Sequence, residues 1–260
     1  MVKLSNQQGY TIVELIIVMV ITLILSGLVV SFALDYWGSS ANLQADLDTF
    51  VTRLDANDEL RTLLTPSDGL IIQNSIPDLN VLNPDPLIAS GQYWKPLHAI
   101  PGNFVIGAKG TTTPILYFRR PSVNKSNVIV MNGTQPYDDE YILYLNGSTG
   151  QMMLRTLANS AVANDKVITS CPPTIATKTC PADKDVMDNL TSVDLRYFSR
   201  SGNLIDWTSI FDPNINTYAG PDFPLVEAIE FNLHVTSKAA FHGVNSAVNQ
   251  TVIRVALLNF

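Results

Sequence analysis

The order of polar and apolar positions divides the chain into two regimes. From Leu15 to Leu34, twenty consecutive residues (LIIVMVITLILSGLVVSFAL) carry no charge, the length at which an α-helix crosses about 30 Å of hydrocarbon. Beyond Leu34 the pattern changes: Leu43, Leu47, Phe50, Val51 and Leu54 recur at steps of three and four, with Asp46, Asp48, Arg53 and Asp55 between them. That is the spacing of an amphipathic helix. Pro66 lacks the N–H needed to continue it. One helix is therefore predicted over residues 10–65, transmembrane at 15–34, with Gly38 marking a bend rather than a break. The apolar stripe of its second half is expected to pack on a sheet.

Downstream the apolar period shortens to two. Asn103–Ala108, Pro114–Arg120, Asn127–Met131, Tyr141–Leu145, Gln151–Leu157, Ser192–Phe198, Leu225–Val235 and Gln250–Leu257 are rich in β-branched and aromatic residues and are bounded by turn formers, so they are predicted strands. The turn sequences NGSTG at 146–150 and SRSGN at 199–203 predict hairpins, which makes neighbouring strands antiparallel. Strict alternation over Ile229–Val235 gives that strand one face for the core helix and one for solvent. Prolines between Pro66 and Pro101 predict a long irregular connection. The expected fold class is α+β: a long N-terminal helix packed on an antiparallel β-sheet head over residues 66–260.

Composition narrows the function. Sixteen Lys+Arg against twenty-three Asp+Glu leave a net charge of −7, which excludes broad attraction to phosphates, and no nucleic-acid partner is expected. Arg119, Arg120 and Lys125 form the one basic cluster and read as solvated charge. Charged residues at 15% and apolar residues at 46% exclude wholesale disorder. Lys3 precedes the apolar run and Asp35, Asp46 and Asp48 follow it, so the positive-inside bias keeps the N-terminus cytoplasmic and exports the head. A cleavable secretory signal ending near Ser39-Ser40-Ala41 competes with this reading, but its apolar stretch normally spans about 7–15 residues. A plain signal anchor leaves Glu14 unexplained. A carboxylate costs about 2.5–3.5 kcal/mol at the centre of a bilayer helix and less near the interface, so Glu14 at the leading edge calls for a cation.

Gly9-Tyr10-Thr11-Ile12-Val13-Glu14-Leu15 followed by the long apolar run resembles the prepilin cleavage and methylation motif of type IV pilins and pseudopilins. The resemblance implies that residues 1–9 are a leader cut after Gly9 by prepilin peptidase. It implies that Tyr10, where the family more often has phenylalanine, becomes the N-methylated first residue, and that Glu14 meets the terminal amine of an adjacent subunit. The implied partners are other pilin or pseudopilin subunits, the peptidase, an inner-membrane assembly platform and membrane lipid. The chain would cross the cytoplasmic membrane once, then enter a cell-surface or periplasmic filament. A second likeness lies in SVDLRYFSRSGNLIDW, PLVEAIEFNLHV and TVIRVALLNF, which resemble the layout of PilW-type minor pilins and J-type pseudopilins. Inserts around Pro172–Asp188 and Phe211–Phe223 depart from it. Together the two imply a minor pilin or pseudopilin of a type IV pilus or type II secretion-like filament. A tip adhesin or DNA-uptake pilin on the same anchor, and a membrane-tethered exported enzyme, are the alternatives.

The remaining chemistry is sparse. Cys171 and Cys180, enclosed by prolines and exported, are expected to form a disulfide closing a surface loop. Asp183, Asp185, Asp188 and Asn189, and separately Asp138-Asp139-Glu140, are calcium candidates admitted by the resemblance, although both lack the glycine and terminal glutamate of a calcium loop. His98, His234 and His242 have no ligand spacing, and His234 is placed on the polar face of its strand. With no G-x-S-x-G, P-loop or H-E-x-x-H, neither catalysis nor a cofactor is expected.

Overall fold

Helix α1 runs from Ile12 to Leu64 without interruption, through Gly38. The computed structural model describes residues 11–67, 69–70, 76–78, 93–94, 103–105, 112–206, 225–236 and 248–257. By contact density the chain forms two units, one holding the helix through Leu47 and the other beginning at Asp48 and holding the sheets.

In the first unit the apolar side chains of α1 stand clear of protein: Leu23 is 72% and Phe32 73% exposed. An apolar surface so exposed is built for an apolar surrounding.

Among the described residues, the second unit contains the end of α1 and fourteen strands in chain order: β1 (Gly69–Leu70), β2 (Ile76–Pro77), β3 (Tyr93–Trp94), β4 (Asn103–Val105), β5 (Thr112–Pro121), β6 (Met131–Asn132), β7 (Gln135–Pro136), β8 (Asp138–Asn146), β9 (Gln151–Leu157), β10 (Lys184–Met187), β11 (Leu190–Phe198), β12 (Leu204–Ile205), β13 (Ala228–Thr236) and β14 (Val248–Ala256). One antiparallel sheet has the order β1-β5-β8-β9-β10. The other has the order β12-β11-β13-β14, with β4 also paired to β11. An α+β architecture results.

One hydrophobic cluster joins both sheets to the helix. Ala56, Leu60, Leu63 and Leu64 of α1 meet Phe118, Leu143 and Leu154 of the first sheet and Leu195, Phe231 and Ile253 of the second. Large side chains so buried contribute about 1.5–3 kcal/mol each. Ile229, Phe231, Leu233 and Val235 supply the inward face of β13. The opposite face is mixed: Glu230 and His234 are half-buried, and Asn232 is buried.

The helix packs through a different face from the one expected. Phe50, Val51 and Leu54 are 55%, 53% and 47% exposed. Residues 56, 60, 63 and 64, at the same three- and four-residue spacing, enter the core instead. Alpha1 carries two apolar stripes, and the cluster takes the later one.

The first sheet is buried on both faces, which explains the apolar run Tyr141–Leu145. Tyr117, Ile142, Tyr144 and Met153 point away from the helix into a second cluster with Ile76 of β2 and Trp94 of β3. Three further differences from the sequence reading are local. Within Asn127–Met131 only Met131 lies in a strand (β6): the Asn124 carboxamide oxygen accepts from the amides of Ser126 (2.9 Å) and Val128 (3.1 Å) and Asn127 has φ 61°, which turns the chain back so that Ile129 makes an isolated bridge to Val123. The expected irregular stretch between Pro66 and Pro101 contains β1, β2 and β3. Lys184–Met187, not expected as a strand, forms β10 beside β9.

Candidate processing and assembly site

The first turn of α1 is capped by its own side chains. The Thr11 amide (2.9 Å) and hydroxyl (3.1 Å) both donate to Glu14 Oε2, and the Glu14 amide donates back to Thr11 Oγ1 (3.3 Å). This reciprocal pattern satisfies amides that the start of a helix leaves open and places an anion at the positive end of its dipole. The sequence signal is Thr-x-x-Glu at residues 11–14, and the reading above used only the glutamate. Glu14 is exposed, so its carboxylate remains accessible to a cation. Gly9 and Tyr10 lie outside the described residues.

From this cap α1 presents an apolar surface long enough to cross a membrane, which fits a membrane-anchored protein. Tyr36 and Trp37, 72% and 62% exposed, follow Asp35 at its far end, where aromatic side chains favour the boundary between hydrocarbon and water.

In the second unit the strongest polar feature is structural. Arg155 on β9 is fully buried, with Nε (2.9 Å) and Nη2 (2.9 Å) donating to the two oxygens of Asp78 and Nη1 (3.1 Å) to Asp183. Trp94 Nε1 donates to Asp78 (2.8 Å), and Tyr144 donates to Asp183 (2.7 Å). Burial and Asp183 hold the Tyr144 hydroxyl protonated far above neutrality. Among the described residues no three His, Cys, Asp or Glu side chains converge as a metal-ligand set.

Of the calcium candidates, Asp183, Asp185 and Asp188 are each engaged by a side-chain donor, and the last two share the same one. Asp183 faces Arg155. Asp185, at a bulge in β10, and Asp188, just past the end of that strand, both accept from Gln151 Nε2, at 2.6 and 2.7 Å. Glu140 pairs with Arg119 on β5 (3.5 Å), while Asp139 turns to Ser122 and Asn159. Cys171 and Cys180 are joined as a disulfide with Cα atoms 5.5 Å apart. The Cys171 amide donates to Pro181 O and the Asp183 amide to Cys171 O, so the loop base leads directly to the buried Asp183. His98 and His242 lie outside the described residues.

Residues 4–30 match the prokaryotic N-terminal methylation motif. The match takes in Gly9, Tyr10, the Thr11–Glu14 cap and the apolar helix through Val30. Among curated proteins none matches the chain. The motif supports a type IV pilin-like protein, a family that is typically structural and assembles with its own kind after processing by prepilin peptidase.

Proposed function

We propose that this chain is a minor pilin or pseudopilin, held in the cytoplasmic membrane as a precursor with its N-terminus inside and its head exported. It is cut after Gly9, methylated on Tyr10 and drawn into a pilus or type II secretion-like filament through α1. The observation that carries this reading is the position of Glu14, accessible on the first turn of an exposed apolar helix within the methylation motif. A helix with that surface leaves lipid only for another dry environment, and a bundle of like helices provides one. Pairing Glu14 with a neighbour's terminal amine removes two uncompensated charges together and makes register self-selecting.

The exposed stripe of Phe50, Val51 and Leu54 supports the same reading, because it offers apolar surface outside the membrane that the head does not use. The size of the head and the likeness of its C-terminal strands to PilW-type and J-type subunits favour a scarce subunit that primes or caps assembly.

Mass analysis of the chain isolated from its own cells tests the proposal. A mature N-terminus at methylated Tyr10 is expected, and Gly9→Leu is expected to retain the leader. Recovery of intact residues 1–9 from the wild type, or of an end near residue 42, overturns it.

A further inference from the structure

Asp139, near the start of β8, is 1% exposed and holds two loops at once. Its Oδ1 accepts from Ser122 Oγ (2.9 Å), at the head of the loop after β5, and from the Asn159 amide (2.9 Å), in the loop after β9. The two loops are also stitched together by backbone bonds, Lys125 N to Asn164 O (3.0 Å) and Lys166 N to Val123 O (2.8 Å), around a bridge between Asn124 and Asp165. That bridge brings the Asp165 carboxylate against Asp139. Asp165 Oδ1 accepts from the Val167 amide (3.0 Å). The other oxygens, Asp139 Oδ2 and Asp165 Oδ2, are both shut off from solvent with no donor.

Two buried acceptors on interacting carboxylates lack one hydrogen. We propose that Asp139 and Asp165 bind a single proton between their Oδ2 atoms, making this pair a proton-binding clasp that fixes the 122–137 and 158–170 loops to each other when the surroundings acidify.

Among the described residues, the charged and titratable groups nearby do not supply another counterion. Arg120, the cross-strand neighbour of Asp139, sits over the Tyr141 ring at 5.6 Å. Lys166 extends its amine to Asn127 Oδ1 (2.6 Å). Glu140 faces Arg119. The Tyr141 hydroxyl, raised to about 12 by burial, senses both aspartates and Arg120. Asp138 gives its backbone carbonyl to the Asn159 carboxamide (3.1 Å). Burial is the main cause that lifts the Asp139 carboxyl to about 6, with Asp165 adding to the rise and the bonds from Asn159 and Ser122 opposing it. Because the folded state then holds the proton more tightly than the unfolded chain, the stabilisation is complete below the ordinary aspartate range. It is lost as pH rises through about 6. The loop closed by this clasp displays Val128, Ile129 and Met131, 58%, 50% and 52% exposed, so acidification would steady an apolar surface.

The test compares thermal midpoints of the full-length chain in detergent micelles with those of Asp165→Asn, from about pH 7.5 down to about 5.5. The new carboxamide can donate to Asp139 Oδ2 at any pH. Wild type should gain about 2–3 °C on acidification relative to the variant, and the variant should melt higher than wild type at about pH 7.5. Asp185, also raised to about 6 by burial and Asp188, titrates in both proteins and cancels in the difference. Limited proteolysis supplies a second readout: cleavage within 122–137 should slow on acidification in wild type only. Equal pH dependence in the two proteins, or a variant that melts lower at both pH values, overturns the proposal. So does a wild-type midpoint at about pH 7.5 that calcium chloride raises and EDTA lowers, because a cation would then fill the place assigned to the proton.

Discussion

Arg155 and Asp78, seventy-seven residues apart, are joined by two parallel hydrogen bonds of 2.9 Å inside the head. Asp183 accepts from Nη1 of the same guanidinium, so two carboxylates share one cation. The pair clamps the segment containing β2 to the outer face of the first sheet, next to Trp94 and Tyr144, whose rings lie 5.3 Å apart. Such ion pairs contribute little net energy when intact, because desolvation offsets attraction, but breaking one leaves a buried charge exposed to the full penalty.

Arg155→Ala should therefore destabilise the head by about 3–5 kcal/mol, since two carboxylates lose their cation. Asp78→Asn should cost less, because Asp183 still faces the guanidinium. Denaturant unfolding of both variants checks the order, and an Arg155→Ala protein as stable as wild type contradicts it.

The two apolar stripes of α1 predict opposite phenotypes. Leu60→Ala removes a fully buried side chain and should cost about 2–5 kcal/mol. Leu54→Ser changes an exposed one and should alter stability by no more than about 0.5 kcal/mol, while reducing recovery in sheared filaments. A Leu54→Ser chain recovered from filaments at the wild-type level would remove that stripe from the assembly surface.

This division of labour shows where sequence reasoning succeeds. The apolar run, the stop before Pro66 and the strand alternation all report local periodicity, and they place α1 and most long strands within a few residues. The turns at 146–150 and 199–203 were legible because Gly150 and Gly202 adopt φ 69° and 79°, which the glycines foreshadow. Periodicity does not say which of two stripes meets the sheet, since both satisfy the same spacing. Nor could it find the Asp78–Arg155–Asp183 contact, which depends on partners brought together only by folding. Strand β10 was hidden because Lys184 and Asp185 are exposed and give it no apolar alternation. Of the candidate site, Glu14 was readable from its place before the apolar run. Thr11 was readable too, from cap spacing, but an eye fixed on charge passes over it.

The disulfide yields a further expectation. Replacing Cys171 and Cys180 together by serine should cost about 2–3 kcal/mol through the freed loop. Because Asp183 lies just beyond the loop base, bonded through its amide to Cys171 O, the loss should spread to its contact with Arg155. In the double variant combined with Asp183→Asn, the two costs should fall short of their sum. Strict additivity would show the loop and the buried charge to be independent.

The proposed function gives Glu14 a second duty beside its observed cap on Thr11, and two substitutions divide them. Glu14→Gln keeps a side-chain oxygen to accept from the Thr11 amide and hydroxyl, so the first turn of α1 should remain capped. The charge needed to meet a neighbour's amine is gone. Glu14→Ala loses the cap as well, at about 0.5–2 kcal/mol of local helix stability if it behaves as other caps do. Since cleavage after Gly9 is expected to depend on that glycine, both variants should still yield a chain beginning at Tyr10. If charge pairing selects the register, both should be scarce in filaments to a similar degree. If the cap alone matters, Gln should assemble as Glu does. Quantifying each variant in sheared filaments against its membrane pool, alongside N-terminal mass, decides between them. Wild-type recovery of Glu14→Gln would dismiss the ion pair while leaving the processing step untouched.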